Sequence, residues 1–273
     1  LKWYGPDPDL VENEKMVLEA LQPHANLGSL KIWEYHAKEL PSWVREMTGY
    51  GGFPLSNLVR LQISSCKKLE HLPTSLKNLV ALKELVINDC TNAISFPNHL
   101  ERLTSLQLLV LEGCENMENI TADIAPLVSL RKVIIRSCPN MTSLPPSLSD
   151  LPSLEELEIG PFRTELDVFP FPTIDTINCE YEDDMLPRLS LSSINGAQRA
   201  GGRKFKSLVK LTLYGTGMDN VKSMPDQIQY LHQLRNLRIE DFSGLEGVPE
   251  WLGNLTSLRE LEICGFPTIG SMR

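Results

Sequence analysis

Four cysteines recur at a constant spacing and are the first residues in this chain that could do chemistry. Cys66, Cys90, Cys114 and Cys138 follow one another at intervals of 24 residues. Thiols can form disulfides, ligate metals or act as nucleophiles. The paired C-x-x-C spacing of a zinc site is missing, so we do not expect a bound metal. We expect buried, reduced thiols, although neighbouring strands lie only about 4.8 Å apart and distance alone leaves a Cys66–Cys90 disulfide open.

The histidines do not indicate a catalytic site. None of the five shares a repeat position with a nucleophile or with another histidine. His71 follows Cys66 closely, but we expect Cys66 to point inward and His71 to lie on the outer segment of its repeat. A general base must reach the nucleophile that it activates. We therefore expect that this chain is not an enzyme, and we assign it no catalytic, metal-ligating or cofactor-binding residues.

The cysteines belong to longer repeated segments, which identify the elements that position them. The segments read LVRLQISSCKKLEHLPTSLKNL, LKELVINDCTNAISFPNHLERL, LQLLVLEGCENMENITADIAPL and LRKVIIRSCPNMTSLPPSLSDL. Their common pattern, L-x-x-L-x-L-x-x-C, is that of a leucine-rich repeat. Such repeats stack so that each coil buries the apolar residues of its neighbours. The sequence therefore predicts an α/β solenoid, a horseshoe of about ten repeats with a parallel concave β-sheet and short helical or irregular convex segments.

The repeats divide a single domain, residues 1–273, into four stretches. Divergent first repeats occupy residues 1–57, regular 24-residue repeats 58–159, an irregular repeat with a charged insertion 160–207, and the C-terminal repeats 208–273. In the irregular stretch we expect Ile174, Ile177 and Cys179 to form one more strand. Residues 180–207 begin acidic and end basic, which is typical either of a solvated loop or of a contact loop for another domain or partner.

Composition excludes several classes of partner. The chain has 26 Lys and Arg residues against 35 Asp and Glu residues, a net charge of −9. Nucleic acids and anionic membranes bind clustered positive charge, so neither is expected here. The uncharged stretches are too short, and too often interrupted by polar residues, to span a bilayer. A solenoid offers a long open surface, which favours a protein partner.

Strand alternation selects the residues that would meet such a partner. In each L-x-x-L-x-L unit the leucines face the core, so the residue between the last two faces the concave surface. This central column reads Lys31, Gln62, Val86, Val110, Ile134, Glu158, Thr212, Arg238 and Glu262. Val86, Val110 and Ile134, with Leu108 beside them, would form an exposed apolar stripe. The stripe either marks a contact site or reflects the preference of β-branched residues for strands.

Charged residues flank that stripe. A basic rung (Arg131, Lys132 and Arg136) is followed one repeat later by an acidic rung (Glu155, Glu156 and Glu158). The two rungs either form the polar rim of an interface or pair with each other across the sheet. The full set of candidate protein-binding residues on the concave face is Val86, Leu108, Val110, Ile134, Arg131, Lys132, Arg136, Glu155, Glu156, Glu158, Tyr214, Arg235, Arg238, Glu240 and Asp241.

Two segments near the N-terminus narrow the family. ENEKMVLEALQPHANLGSLKIWEY, followed by ELPSWV, resembles the repeat domain of plant nucleotide-binding leucine-rich-repeat (NLR) disease resistance proteins of the coiled-coil class. The Cys and LP of the repeats are similar to those of cytosolic plant repeats. The resemblance implies a cytoplasmic domain that recognises a pathogen effector or a guarded host protein. It also implies an intramolecular contact that holds a nucleotide-binding domain inactive. No G-x-x-x-x-G-K-[ST] phosphate loop occurs in this sequence, so ATP or ADP is expected only on a separate nucleotide-binding domain.

Two other functions compete with this interpretation. The chain could be an extracellular leucine-rich-repeat receptor or a secreted inhibitor, because N-x-[ST] sequons occur at Asn119, Asn140 and Asn254. Asn254 lies in the leucine-rich segment LGNLTSL, where we expect a glycan to crowd the packing between coils. The third possibility is a substrate adaptor of a ubiquitin ligase, which would need an F-box upstream.

Overall fold

In the described part of the chain, nine parallel strands form one continuous sheet, in chain order from β1 to β9. The computed structural model describes residues 8–73, 76–94, 96–97, 100–172 and 204–266. The predicted leucine-rich-repeat solenoid is confirmed. The strands are β1 Ser29–Trp33, β2 Arg60–Ser64, β3 Glu84–Asn88, β4 Leu108–Glu112, β5 Lys132–Arg136, β6 Glu156–Gly160, β7 Lys210–Tyr214, β8 Asn236–Glu240 and β9 Glu260–Cys264.

The sheet passes over the irregular stretch without interruption. β6 pairs directly with β7, with Glu158 opposite Thr212. The strand predicted from Ile174 to Cys179 lies outside the described residues. The described end of the predicted insertion packs on the solenoid: the Phe205 amide donates to the Ser149 carbonyl at 2.7 Å.

Strands β1 to β8 are each buried on one side because their second and fourth residues are Leu, Ile or Val. In β3, for example, Leu85 and Ile87 are almost fully buried while the residues on either side are partly exposed. Parallel pairing aligns these positions from coil to coil, so that Leu61, Leu85 and Leu109 lie side by side. The first, third and fifth residues of each strand therefore share the concave face.

A left-handed residue turns the chain out of most strands. Ser65, Asp89, Gly113 and Ser137 have φ between 51° and 65°, and each immediately precedes a repeat cysteine. All four repeat cysteines are buried and free, as predicted. Their thiols lie against the carbonyl groups at the strand ends; that of Cys66, for example, is 3.3 Å from the Ser64 oxygen.

Short helices form the convex side and the N-terminal end. The α-helices are α1 Pro8–Ala20 and α2 Ser42–Glu46; the 3-10 helices are Tyr50–Gly52, Leu76–Asn78, Pro146–Asp150, Asp226–Tyr230 and Glu250–Asn254. Helix α1 covers the first coil. The Trp43 indole donates to the Leu18 carbonyl at 2.7 Å, and the buried Glu14 carboxylate accepts from the backbone and the ring of His36.

The last coil is open. Leu261 and Ile263 of β9 are 44% and 38% exposed, whereas Leu237 and Ile239, at the same positions of β8, are 1% and 0% exposed. No further strand of the described chain packs against β9.

Candidate protein-binding face

The concave face is a regular array of side chains, three per strand across nine strands. The register places Lys31, Gln62, Val86, Val110, Ile134, Glu158, Thr212, Arg238 and Glu262 side by side. The predicted central column is therefore confirmed, including the step across the irregular stretch.

The apolar residues of this face are less accessible than the sequence predicts. Val110 is only 8% exposed, and Val86, Leu108 and Ile134 are half-buried. The prediction of an exposed apolar stripe is wrong in this respect. Strands only about 4.8 Å apart crowd side chains together on the inside of a curved sheet. The patch is a shallow apolar floor rather than a protruding ridge.

The basic and acidic rungs pair with each other. The Lys132 ammonium lies 3.0 Å from Glu156 Oε2 and 2.8 Å from Glu158 Oε1. The Arg136 guanidinium lies 2.7 Å from Glu112 Oε1 and 3.8 Å from Glu158 Oε2. Of the two interpretations that the sequence leaves open, cross-strand pairing is the one that the structure forms.

These pairs keep both cations charged. Burial lowers the pKa of Lys132, but the hydrogen bonds to Glu158 and Glu156 outweigh it, so that the pKa lies above its ordinary value. Burial also lowers the pKa of Arg136, but the charges and hydrogen bonds of Glu112 and Tyr214 together outweigh it, so that this pKa is raised as well. Tyr214 completes this network, because its ring lies under the Arg136 guanidinium at 5.1 Å and its hydroxyl accepts from Arg136 Nη1 at 3.4 Å.

Four of the candidate residues lie beside the sheet rather than on it. Arg131, Glu155 and Arg235 each precede a strand by one residue, and Asp241 follows β8 in a left-handed turn. Arg131 and Glu155 form an exposed ion pair of 2.6 Å at the rim. Asp241 accepts from the Thr216 hydroxyl of the preceding coil. These four residues therefore lie at the rim of the concave face, and their role in binding stays a prediction.

The remaining candidates, Arg238 and Glu240, lie together on β8. The Arg238 guanidinium is 2.9 Å from Glu240 Oε2 and also binds the Glu262 carboxylate of β9. The hydrogen bond to Glu240 and the charges of both carboxylates raise the pKa of Arg238. This cluster is therefore also satisfied within the sheet.

A depression on the concave face was not predicted. It has a volume of about 360 Å³, and Thr212 of β7 lies within it between Glu158 and Arg238 of the neighbouring strands. Threonine is the smallest residue of the central column. The depression is also lined by Lys210, Tyr214, Asn236, Glu260 and Glu262. The small residue was visible in the sequence, but its neighbours were known only once β6 was seen to pair with β7.

The asparagines of two sequons, Asn140 and Asn254, are exposed in the structure, and Asn119 is half-buried. The Asn254 amide donates to Gln229 of the preceding coil at 3.0 Å, and the crowding of a glycan at this position stays a prediction. The Asn119 side chain accepts from Thr142 and Ser143 of the next coil at 3.1 and 2.7 Å. Among the described residues, no helix is both long enough and apolar enough to cross a bilayer.

Comparison with known proteins agrees with the repeat architecture and with the N-terminal sequence. Residues 1–90 match the R13L1/DRL21 leucine-rich-repeat family. A segment of 74 residues, 27% of this chain, is 36% identical to the disease resistance protein RGA2 of Solanum bulbocastanum and spans 7% of that protein's length. Among solved structures, the leucine-rich-repeat domain of the type III effector XopL matches with a TM-score of 0.54. The two are 21% identical, and the match covers 93% of this chain and 80% of that domain. The chain thus has a leucine-rich-repeat fold, and the predicted resemblance to plant disease resistance proteins is confirmed over its first third, which is similar to the R13L1/DRL21 repeats.

Proposed function

We propose that this chain is the ligand-recognition and autoinhibitory repeat domain of an intracellular plant immune receptor. Its concave face would bind a pathogen effector or a guarded host protein, and a separate domain would hold ATP or ADP. The similarity to a disease resistance protein supports the receptor class, and the repeat fold supports a protein-interaction role.

The observation that carries the proposal is the aligned concave array. Val86, Val110 and Ile134 form an apolar floor on three adjacent strands, and ion-paired side chains border it on β4, β5 and β6. An apolar centre within a polar rim is the usual arrangement of a protein interface. The ion pairs hold the long rim side chains in place before a partner arrives, which lowers the entropic cost of binding.

A matched pair of valine substitutions tests the proposal. Val86 is half-buried on the concave sheet, and Val128 lies on a connection outside the sheet, 48% exposed. Val86→Lys places a charge at the centre of the proposed interface, whereas Val128→Lys makes the same change elsewhere. The measurement is proximity labelling in leaf cells that express the wild-type chain or either variant.

Proteins labelled by the wild type should also be labelled by Val128→Lys and should be lost with Val86→Lys. Thermal unfolding of the purified variants confirms that both are folded. Identical labelling by all three chains would show that the concave face is not the recognition surface.

A further inference from the structure

Charged side chains on the described concave strands have interaction partners, Lys31 of β1 among them, with one exception. Arg60 pairs with Glu84, Lys132 with Glu156 and Glu158, Arg136 with Glu112, and Arg238 with Glu240 and Glu262. Glu260 accepts a hydrogen bond from Asn236. Within the described part of the chain, Lys210 of β7 is the charged concave residue that makes no ion pair or hydrogen bond through its side chain.

The strand register explains why Lys210 has no ion-pair partner. Its neighbour on β6 is Glu156, which is already bonded to Lys132, and its neighbour on β8 is Asn236, which is uncharged. The Lys210 ammonium therefore lies beside acceptors that are satisfied elsewhere. An exposed lysine is well hydrated on its own, but this one borders the depression around Thr212.

Two hydroxyl groups line the same depression. The Tyr214 oxygen accepts a hydrogen bond from Arg136, which leaves its own proton available to donate. The Thr212 side chain is 2% exposed and forms no hydrogen bond with any described residue. Together with the Asn236 amide, these groups can donate to a ligand that enters beside Lys210.

We propose that the depression around Thr212 is a binding site for an acidic side chain, an aspartate or glutamate of a protein partner. Its carboxylate would pair with Lys210 and accept hydrogen bonds from the Thr212 and Tyr214 hydroxyls. This assignment rests on the proposed function of the concave face and specifies one contact within it. A volume of about 360 Å³ accommodates a single side chain with its backbone.

The carboxylates that also line the depression do not favour a basic ligand. Glu158 is bonded to Lys132, Glu260 accepts from Asn236, and Glu262 is bonded to Arg238. A cationic ligand would have to compete with these existing partners. An acidic ligand can pair with the Lys210 ammonium, which has no partner among the described residues. Charge-assisted hydrogen bonds are stronger than neutral ones.

The test is a selection of random linear peptides, displayed in a library, on the intact chain. Selected peptides should contain an Asp or Glu whose replacement by Asn or Gln weakens binding about tenfold. Lys210→Met should weaken binding of the same peptides by a similar factor. Against the Lys210→Met variant, replacing the acidic residue of the peptide by Asn or Gln should not weaken binding any further, because both changes remove the same interaction.

Lys77→Met is the matched control, since Lys77 is an exposed lysine on a convex 3-10 helix. It should leave peptide affinity unchanged. Selected peptides that are indifferent to Lys210, or that carry an essential Lys or Arg, would overturn the assignment. Peptides indifferent to Lys210 but lost with Val86→Lys would refute this site alone. Peptides indifferent to both variants would count against the concave face as a whole.

Discussion

The Lys132 ammonium and the Glu158 carboxylate lie 2.8 Å apart on neighbouring strands, at the border of the apolar floor. Only 12% of the Glu158 side chain is exposed, and Arg136 approaches it from the other side. A carboxylate this well covered depends on its cations, because water cannot replace them fully. The basic rung therefore contributes to folding as well as to the shape of the candidate interface.

Charge reversal at Lys132 should destabilise the fold. Lys132→Glu would place a third carboxylate beside Glu156 and Glu158, and we expect the free energy of unfolding to fall by about 2 kcal/mol. Arg131→Glu is the matched control, because Arg131 and its partner Glu155 are 61% and 47% exposed and should contribute less than about 1 kcal/mol. Urea unfolding of both variants measures the difference. Equal losses would show that the Lys132 pairs are no more structural than the rim pair.

The regular repeats were predictable in detail because their period is constant. The 24-residue spacing alone predicts that Leu61, Leu85 and Leu109 align and that the cysteines point inward, and both are confirmed. The depression was not predictable. Glu158 and Thr212 are neighbours on adjacent strands but lie more than two repeat lengths apart in the sequence, where the period is broken. Which strand follows β6 depends on three-dimensional pairing that a period cannot specify.

The solvent exposure of the concave side chains could also not be predicted from the sequence. The alternation of Val110 with Leu109 and Leu111 predicts correctly which way each side chain points. The burial of Val110 depends instead on the curvature of the sheet and on its long neighbours, such as Arg136 and Glu112. Likewise, the sequence left open whether Lys132 pairs with a partner protein or with Glu158, because the same positive charge would serve in either pair.

The turn after β4 should require glycine. Gly113 has φ of +65°, and a Cβ atom there would lie 2.5 Å from Asp89 Oδ1 and 3.3 Å from the Asp89 backbone. We expect Gly113→Ala to cost roughly 1–3 kcal/mol through backbone strain and this contact. Gly247→Ala is the control, because a Cβ at Gly247 meets no atom within 4 Å. Chemical unfolding compares the two. In an Asp89→Ala background the cost of Gly113→Ala should shrink; an unchanged cost would assign all of it to the backbone.

The thiols of Cys90 and Cys114 should be chemically silent in the folded chain. The hydrogen bond with Cys66 and burial raise the pKa of Cys90, and the hydrogen bond with Cys138 and burial do the same for Cys114. The thiolate is the reactive form, so both should remain unmodified at pH 8, whereas the exposed Cys264 should react. Labelling with N-ethylmaleimide and peptide mass spectrometry should show that Cys264 is modified about a hundredfold faster than Cys90 and Cys114. All of these thiols should react in urea. Rapid native labelling of Cys90 or Cys114 would mean that the coils open locally.

The neighbouring strands β8 and β9 should respond differently to the loss of the same leucine. Leu237 of β8 and Leu261 of β9 occupy equivalent positions, but they are 1% and 44% exposed. Leu237→Ala leaves a cavity between two packed coils and should cost about 3 kcal/mol. Leu261→Ala removes a side chain that is packed on one side only, and it should cost less than about 1 kcal/mol. Urea unfolding of the two variants measures the difference directly. Comparable losses would mean that the last coil is covered in solution, for example by a second copy of the chain, in which case the cost of Leu261→Ala should fall as the protein is diluted.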